Sequence, residues 1–302
     1  MDPELEAYVP LIPRADLSDP PAERKRLAAL VAGVPAPDLD GMDVHDPMVP
    51  GATGDPDVPV RVYRPAGAHG ALVWLHGGGM TVGDVDTEHP LAARLAAASG
   101  EVVISVGYRL APEHPFPAAF DDAYAVLRWA AGHAADLGVD PGRIAVGGMS
   151  AGGALAAGLA LRSRDEQGPP IRFQLLNQPG LDDRQETWSQ RRFTDTPRMD
   201  RTVVGQAWAN YLGGAPAPSP YAAPARATDL AGLPPAYIAT AEFDPLRDEG
   251  IDYALRLLQS GVRVELHQWP GTFHGSQALL SAGVSQRQNA ELAAALRRAL
   301  VD

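Results

Sequence analysis

The chain has 302 residues, which is enough for one large domain or for a domain with a smaller unit attached. Hydrophobic residues make up 45% of it and charged residues 21%, as is ordinary for soluble globular proteins. The formal net charge is −12, no basic run stands out and Lys25 is the only lysine, so composition argues against nucleic acid and anionic membranes as partners.

Cysteine is absent, which excludes disulfides, thiolate metal sites and cysteine nucleophiles. The amino-terminal segment MDPELEAYVPLIPRADL is acidic and broken by proline, and it lacks the basic start and apolar stretch of a secretory signal. No uninterrupted apolar stretch approaches the roughly 18 residues that cross a bilayer. We therefore expect a cytoplasmic protein without membrane insertion.

The first predicted element is a helix over PPAERKRLAALVAG. Asp19 is suited to its N-cap, two prolines occupy its first turn and Gly33 ends it. A loop rich in proline, glycine and aspartate follows to about residue 55.

From about residue 58 onward, short apolar runs alternate with helical patterns. The predicted strands are, in chain order, VPVRVYRP, ALVWLH, EVVISVGY, RIAVGG, IRFQLLNQ, AYIATAEF and VRVELHQWP. The alternation predicts an α/β fold with a mostly parallel sheet and helices on both faces. It fails once, over about 181–232, which we interpret as an insertion after a strand rather than as an independent domain.

A serine lies between a predicted strand and a predicted helix in AVGGMSAGGALA. Gly148, Ser150 and Gly152 match the G-x-S-x-G pattern, in which a tight turn exposes the serine hydroxyl at the carboxyl edge of a sheet. The bare pattern also fits a glycine-rich turn with an incidental serine. Its position before a helix amino terminus favours a site where negative charge develops.

A serine nucleophile needs a base within hydrogen-bond reach, and histidine is the usual one. Of the eight histidines, His274 in WPGTFHGS is the best candidate, because it follows the last predicted strand. His267 lies within a strand pattern and His114 in a proline-rich loop, where structural roles are expected. The histidines that we expect to be solvated are His45, His69, His89 and His133.

The base in turn needs a carboxylate that fixes its tautomer and stabilises its charged form. In IATAEFDPLRDEG, Asp244 lies just past a strand, whereas Asp248 falls in the start of the next helix. Acids are common at helix starts as partners of the dipole, so Asp244 is favoured and Asp248 is the alternative. The order Ser150, Asp244, His274 is the chain order of α/β-hydrolases.

The run LVWLHGGGMTVG places three glycines after a histidine at the end of a strand. Such a loop can hold a phosphate, but the P-loop pattern is missing and no G-x-G-x-x-G opens a helix here. A metal site is not supported either, since His76 has no paired ligand nearby. Beside a nucleophilic serine, the loop amides are expected to bind a tetrahedral oxyanion, each donor stabilising it by about 3–4 kcal/mol.

Five ordered motifs, which span roughly residues 58–300, resemble the hormone-sensitive-lipase-like esterases, the bacterial family IV carboxylesterases. They are HGGG at 76–79, YRLAPEHPFPAA at 108–119, GMSAGG at 148–153, DPLRDEG at 244–250 and FHG at 273–275. The resemblance implies an α/β-hydrolase fold with a mostly parallel eight-stranded sheet. It also implies hydrolysis of short- to medium-chain acyl esters, with a small-molecule ester as partner and without a cofactor or metal.

Matched by position, the family implies a role for each motif residue. Ser150 is the implied nucleophile, His274 the general base and acid, and Asp244 the orienting acid. His76 and YRLAPEHPFP are implied to be structural. The implied oxyanion donors are the backbone amides of Gly77, Gly78 and Ala151.

The family also carries a cap, built from the amino-terminal segment and an insertion. Residues 1–50 and 181–232 are then the two parts of the cap, and 51–180 and 233–302 are the two parts of the core. Homodimers are common in the family, so the resemblance allows one. Five aromatic residues of the insertion can line a pocket, although packing is the favoured role for most of them: Trp188, Phe193, Trp208, Tyr211 and Tyr221.

The chain departs from the family pattern at Met149, since many members carry Asp or Thr before the nucleophile. This leaves the nucleophile assignment intact and puts in question any hydrogen bond that an acid there would make. Two other functions stay open. One is an amidase or acyltransferase with the same three residues. The other is a binding protein of the same fold, although the plant hormone receptor that resembles these esterases has lost the histidine that is present here.

Overall fold

The computed structural model describes residues 1–214 and 218–301. Residues 215–217, in the predicted cap insertion, and residue 302, at the end of the second predicted core segment, lie outside the described residues. Within the described part of the chain, no helix combines the length and the apolar character needed to cross a membrane.

A sheet of nine strands forms the centre of the molecule. The strands are β1 (Met42–His45), β2 (Met48–Val49), β3 (Val58–Pro65), β4 (Ala71–Leu75), β5 (Val102–Val106), β6 (Ile144–Met149), β7 (Phe173–Asn177), β8 (Ala236–Phe243) and β9 (Val264–Phe273). Eight follow one another as β1-β3-β5-β4-β6-β7-β8-β9, and β2 pairs with β3. β3 is antiparallel to β1, β2 and β5, and the pairs from β5 onward are parallel. The predicted mostly parallel sheet is confirmed, but it has nine strands where the family resemblance implied eight, because the two-residue strand β2 adds to the path of eight.

Helices cover both faces of the sheet. They are α1 (Pro3–Glu6), α2 (Pro20–Ala32), α3 (Val85–Ser99), α4 (Ala118–Gly132), α5 (Ala134–Leu137), α6 (Ala151–Asp165), α7 (Trp188–Arg192), α8 (Arg201–Leu212), α9 (Arg247–Gln259) and α10 (Gly283–Val301). α4, α6 and α9 bury apolar residues in one core, and α3 and α10 do so in a second core on the other face. β4 and β5 are buried along their whole length, which explains their unbroken apolar sequences.

The sheet begins earlier in the chain than the sequence predicts. β1 and β2 lie in the segment predicted to be a loop, before the predicted core boundary at residue 50. β1 pairs with the end of β3, from Met42 opposite Pro65 to His45 opposite Val62. These short strands are stabilised by pairing with β3, and no local apolar pattern marks them in the sequence.

The amino-terminal segment and the insertion after β7 are bonded to each other. The Ala15 amide donates to the Arg198 carbonyl at 2.8 Å. On α8, Asn210 Nδ2 donates to the Leu17 carbonyl at 2.9 Å, and Gln206 Oε1 accepts from the Leu17 amide at 3.0 Å. The two segments that the family resemblance assigns to a cap are therefore in direct contact.

Candidate active site

Ser150 lies at the turn between β6 and α6. Its φ of 57° and ψ of −116° are uncommon for a residue with a Cβ atom. The Ser150 amide donates to the Asn177 carbonyl at 2.9 Å, and the Ser150 carbonyl accepts from the Gly180 amide at 3.1 Å. This is the strained strand-to-helix turn that the G-x-S-x-G pattern predicts.

The close packing around Ser150 leaves no room for a side chain at two neighbouring glycines. A Cβ atom on Gly152 would lie 1.8 Å from the Leu75 carbonyl oxygen, and one on Gly148 would lie 2.4 Å from the Gly152 carbonyl carbon. Both distances are far below van der Waals contact. Only glycine therefore lets α6 begin this close to β4, and this close packing sets the position of the serine.

Asp244 and His274 directly follow β8 and β9, which run parallel to β6 through β7. The carboxyl ends of these strands share one edge of the sheet, so Ser150, Asp244 and His274 lie at that edge. His274 Nδ1 is 2.7 Å from Asp244 Oδ2, and the two side chains are almost fully buried. Because a carboxylate oxygen can only accept, Nδ1 carries the proton and Nε2 is left as an acceptor.

Asp248, the alternative acid, makes different contacts. It lies in the first turn of α9, where its Oδ2 accepts from the Ser189 amide at 2.8 Å and its Oδ1 pairs with Arg247. These bonds join the start of α9 to α7. Asp244 is thus the acid that meets His274, and Asp248 holds the inserted segment.

The three-glycine loop follows β4 and runs beside Ser150. A Cβ atom on Gly77 would lie 3.6 Å from Ser150 Cβ, so the loop backbone is close to the serine. Gly78 has a φ of 107°, and a Cβ there would lie 2.1 Å from the Val82 carbonyl oxygen. Within the described part of the chain, the amides of Gly77, Gly78 and Ala151 donate to no acceptor. Of these unpaired amides, that of Gly77 belongs to a residue close to Ser150 and that of Ala151 directly follows the serine at the start of α6.

The third glycine of this loop lies against the amino-terminal segment and α8. Gly79 has a φ of 63°, and a Cβ there would lie 2.7 Å from Ala207 Cβ and 2.9 Å from Leu17 Cδ1. The amino-terminal segment and α8 therefore both pack directly against the loop. Arg198, in the insertion after β7, lies against the histidine loop, since a Cβ on Gly275 would lie 3.3 Å from Arg198 Cδ.

His76 braces the glycine loop. Its Nδ1 is 2.7 Å from the Gly77 carbonyl oxygen, and its ring stacks on Tyr108 with 4.0 Å between centroids. Burial lowers the pKa of His76 to about 4, so the ring is neutral at neutral pH and Nδ1–H donates to the carbonyl. The Tyr108 hydroxyl donates to the His76 carbonyl at 2.8 Å. These contacts fit the structural role that the family implies for both residues.

Arg24 of α2 connects the amino-terminal segment to two loops near the site. Its Nε donates to the Thr81 carbonyl at 2.9 Å and its guanidinium to the Ala111 carbonyl at 3.0 Å. The guanidinium also pairs with both oxygens of Glu113. The hydrogen bonds and charge of Arg24 lower the pKa of Glu113 to about 2, so this pair stays charged in mild acid.

Replacing Arg24 by alanine is expected to lower the free energy of unfolding by about 2 kcal/mol, since it leaves two carbonyls without their charged donor. Urea denaturation measures this change. Lys25, the adjacent and exposed cation, supplies the matched control, and Lys25→Ala should change the same free energy by less than about 0.5 kcal/mol. If the two variants lost equal amounts of unfolding free energy, the positive charge of α2 rather than the contacts of Arg24 would be what stabilises the protein.

The described residues contain one group with spacing suited to a metal: Glu265, His267 and Glu291. Arg298 pairs with both glutamates and His267 lies 3.0 Å from Glu265, so a guanidinium supplies the positive charge there. The expected structural role of His267 fits these contacts. His89, which we expected to be solvated, is instead half-buried and bonded to a tyrosine hydroxyl at 2.7 Å.

The aromatic residues of the insertion divide into two groups. Three pack against the rest of the molecule, as expected for most of them: Trp208, Tyr211 and Tyr221. The other two differ, since Trp188 is 60% exposed and meets Phe193 edge-on at 6.0 Å. Phe193 lies 6.3 Å from Phe243, the residue before Asp244. This pair therefore packs near the end of β8.

Two buried glutamines escape the sequence analysis although they lie beside the candidate residues. Gln178 directly follows β7, and its Oε1 accepts from the Gly275 amide at 2.8 Å. Gln277 lies three residues after His274. The position of Gln178 at the end of a predicted strand could have indicated a role at the site, because ligands and functional side chains often lie at the carboxyl edge of a parallel sheet.

Comparison with known proteins places this chain among esterases. A family model described as alpha/beta hydrolase fold matches residues 72–278. The carboxylesterase NlhH of Mycobacterium tuberculosis is 44% identical over 259 residues, which cover 83% of this chain and 81% of that protein. The carboxylic ester hydrolase LipN of the same organism is 41% identical over 288 residues, covering 91% of this chain and 75% of LipN.

The similarity extends through the whole described structure. A solved bacterial heroin esterase superposes with a TM-score of 0.94 at 47% identity, covering 99% of this chain and 98% of its own. Its coverage includes most of the amino-terminal segment, which lies outside the residues that the family model matches.

Proposed function

This chain belongs to the hormone-sensitive-lipase-like carboxylesterases of the α/β-hydrolase family, and on that premise we propose that it hydrolyses short- to medium-chain acyl esters through an acyl-enzyme on Ser150. The observation that carries the proposal is the bond between His274 Nδ1 and Asp244 Oδ2 at 2.7 Å, at the sheet edge where Ser150 occupies its strained turn.

In the first half of the reaction, Ser150 Oγ attacks the ester carbonyl carbon while His274 Nε2 takes the hydroxyl proton. Asp244 stabilises the imidazolium that forms. The carbonyl oxygen becomes an alkoxide, which accepts hydrogen bonds from the amides of Gly77, Gly78 and Ala151. The bond to the leaving alcohol then breaks, and the alcohol departs with the proton from His274.

In the second half, a water molecule replaces the alcohol. His274 Nε2 takes a proton from the water as its oxygen attacks the acyl carbon, and the same amides bind the second alkoxide. The acyl bond to Ser150 breaks, Ser150 Oγ recovers the proton, and the carboxylic acid leaves. The free amides beside Ser150 support this assignment, because preorganised donors need no rearrangement when charge develops.

The preference for short chains is supported by the closeness of the cap. Leu17 and Ala207 lie within contact range of Gly79 in the proposed oxyanion loop, which restricts the space above it. Trp188 and Phe193 pack near Phe243 at the end of β8, and we propose that these apolar rings meet part of the acyl chain. Long chains would have to displace these residues.

A series of p-nitrophenyl esters from acetate to palmitate tests the proposal, together with a fluorophosphonate that phosphonylates activated serines. We expect kcat/KM to be highest for the C2–C6 esters and the probe to add one label on Ser150, located by mass spectrometry. Preference for long emulsified chains would overturn the assigned substrate range. Absence of both hydrolysis and labelling would overturn the function.

Further substrates extend the same measurement. Anilides and added alcohols separate an esterase from an amidase or an acyltransferase, since all three share the acyl-enzyme. We expect ester turnover to exceed anilide turnover. Because a solved relative is named a heroin esterase, heroin is a suitable additional ester in the series.

A further inference from the structure

Met149 departs from the family pattern, and the structure gives its sulfur a bonding partner. Met149 Sδ lies 3.1 Å from Gln277 Nε2. Gln277 is 5% exposed and lies in a 3₁₀ helix over Ser276–Ala278, immediately after the His274 loop. The residue before the proposed nucleophile is therefore joined to the segment that follows the proposed base.

Gln178 completes a connection between the two segments. Its Oε1 accepts from the Gly275 amide at 2.8 Å, and its Nε2 donates to Gln277 Oε1 at 3.2 Å. We call the two side chains, Gln178 and Gln277, the glutamine bridge. One end of the bridge bonds the residue after His274 and the other bonds the residue before Ser150.

The conformation of Gln178 indicates that its place is closely determined. Its φ is 48°, which is uncommon for glutamine, and the residue is 1% exposed. Its backbone amide donates to the Ala239 carbonyl at 2.8 Å. Residues in such conformations persist where their surroundings over-determine them and cluster at functional sites. Here the backbone and both ends of the side-chain amide are bonded.

One backbone group fixes the orientation of the whole bridge. The Gly275 N–H can only donate, so the oxygen of Gln178 must face it and the Gln178 NH₂ must face the oxygen of Gln277. The NH₂ of Gln277 is then left facing Met149. A thioether has no hydrogen to donate and accepts weakly, so it fits the end of the bridge without burying a charge.

We propose that the glutamine bridge positions His274 relative to Ser150 for proton transfer. The inference rests on the proposed function, since it concerns the transfer from Ser150 Oγ to His274 Nε2. Both glutamines act through the loops that they hold and neither exchanges a proton. The effect on rate is large because a displacement of about 1 Å in a reacting group can cost about 100-fold.

The test variant is Gln178→Asn. Asparagine keeps the amide group and tolerates a positive φ, but it is one methylene too short to reach both partners. We expect kcat for p-nitrophenyl acetate to fall about 10- to 100-fold, with KM changed less than about threefold. The rate of fluorophosphonate labelling should fall in parallel, because labelling depends on the same base.

Gln174 supplies a matched control. It is fully buried on β7, the strand that Gln178 follows, and its Nε2 donates to the Pro234 carbonyl at 2.9 Å, remote from the His274 loop. Gln174→Asn makes the same chemical change and should lower the melting temperature while leaving kcat and labelling intact. Gln277→Leu breaks the bridge at its other member and replaces Gln178→Asn if that variant does not fold.

Coupling between the two bridge residues separates positioning from general destabilisation. In the Gln178→Asn/Gln277→Leu double variant, the loss in kcat should be close to that of one single variant, since either change already breaks the bridge. Additive losses would overturn the inference, as would wild-type kcat in both single variants or an equal kcat loss in Gln174→Asn. If the wild-type protein neither hydrolyses esters nor takes the label, the proposed function fails instead.

Discussion

Replacing Ser150 by alanine is expected to lower kcat for p-nitrophenyl butyrate by about 10⁴- to 10⁶-fold. Without Oγ no acyl-enzyme can form, and only the loop amides and binding remain to assist direct attack by water. The Ser150 side chain makes no hydrogen bond to any described residue and its turn is held by backbone bonds, so the fold should survive. Steady-state kinetics and thermal unfolding measure the two effects separately.

Ser105 offers a matched control for this substitution. It is a fully buried serine on β5 whose hydroxyl has no hydrogen-bond partner among residues 1–214 and 218–301. Ser105→Ala removes the same atom from the core and should retain the wild-type kcat. Turnover by the Ser150→Ala variant close to that of Ser105→Ala would refute Ser150 as the nucleophile.

The parts of the fold that could be predicted are those with a local signature. β4 and β5 read as unbroken apolar runs because helices cover both faces of the sheet. β1 and β2 escape prediction because they have four and two residues within a segment of loop-like composition. Their stability comes from pairing with β3, and no local pattern records a partner strand.

The same distinction applies to the candidate site. Strand ends could be read from the sequence, and parallel strands bring Ser150, Asp244 and His274 to one edge. The contacts of the glutamine bridge could not be read, because Gln178 and Gln277 are 99 residues apart and single glutamines carry no pattern. The sequence favours Asp244 over Asp248 by position after a strand, whereas the bond of Asp248 to the Ser189 amide depends on packing that no local pattern records.

Replacing Asp244 by asparagine is expected to lower kcat by about 10⁴-fold. The Leu246 amide donates to Asp244 Oδ1 at 2.9 Å, so the oxygen of an asparagine must take that position and its NH₂ must face His274. His274 Nδ1 would then have to accept, which moves the imidazole proton to Nε2. A protonated Nε2 cannot take the proton of Ser150, so the base is disabled although the shape of the site is retained. Steady-state kcat measures the loss.

Asp248→Asn is the control that distinguishes the two acids. Asp248 bonds the Ser189 amide and Arg247 rather than His274, so its neutralisation should weaken the attachment of α7 and leave kcat within about threefold of wild type. If Asp248→Asn lost more activity than Asp244→Asn, Asp248 would be the orienting acid and the bond between Asp244 and His274 would be structural. A large loss in Asp244→Asn alone would assign the orienting role to Asp244, the acid bonded to His274 Nδ1, rather than to Asp248.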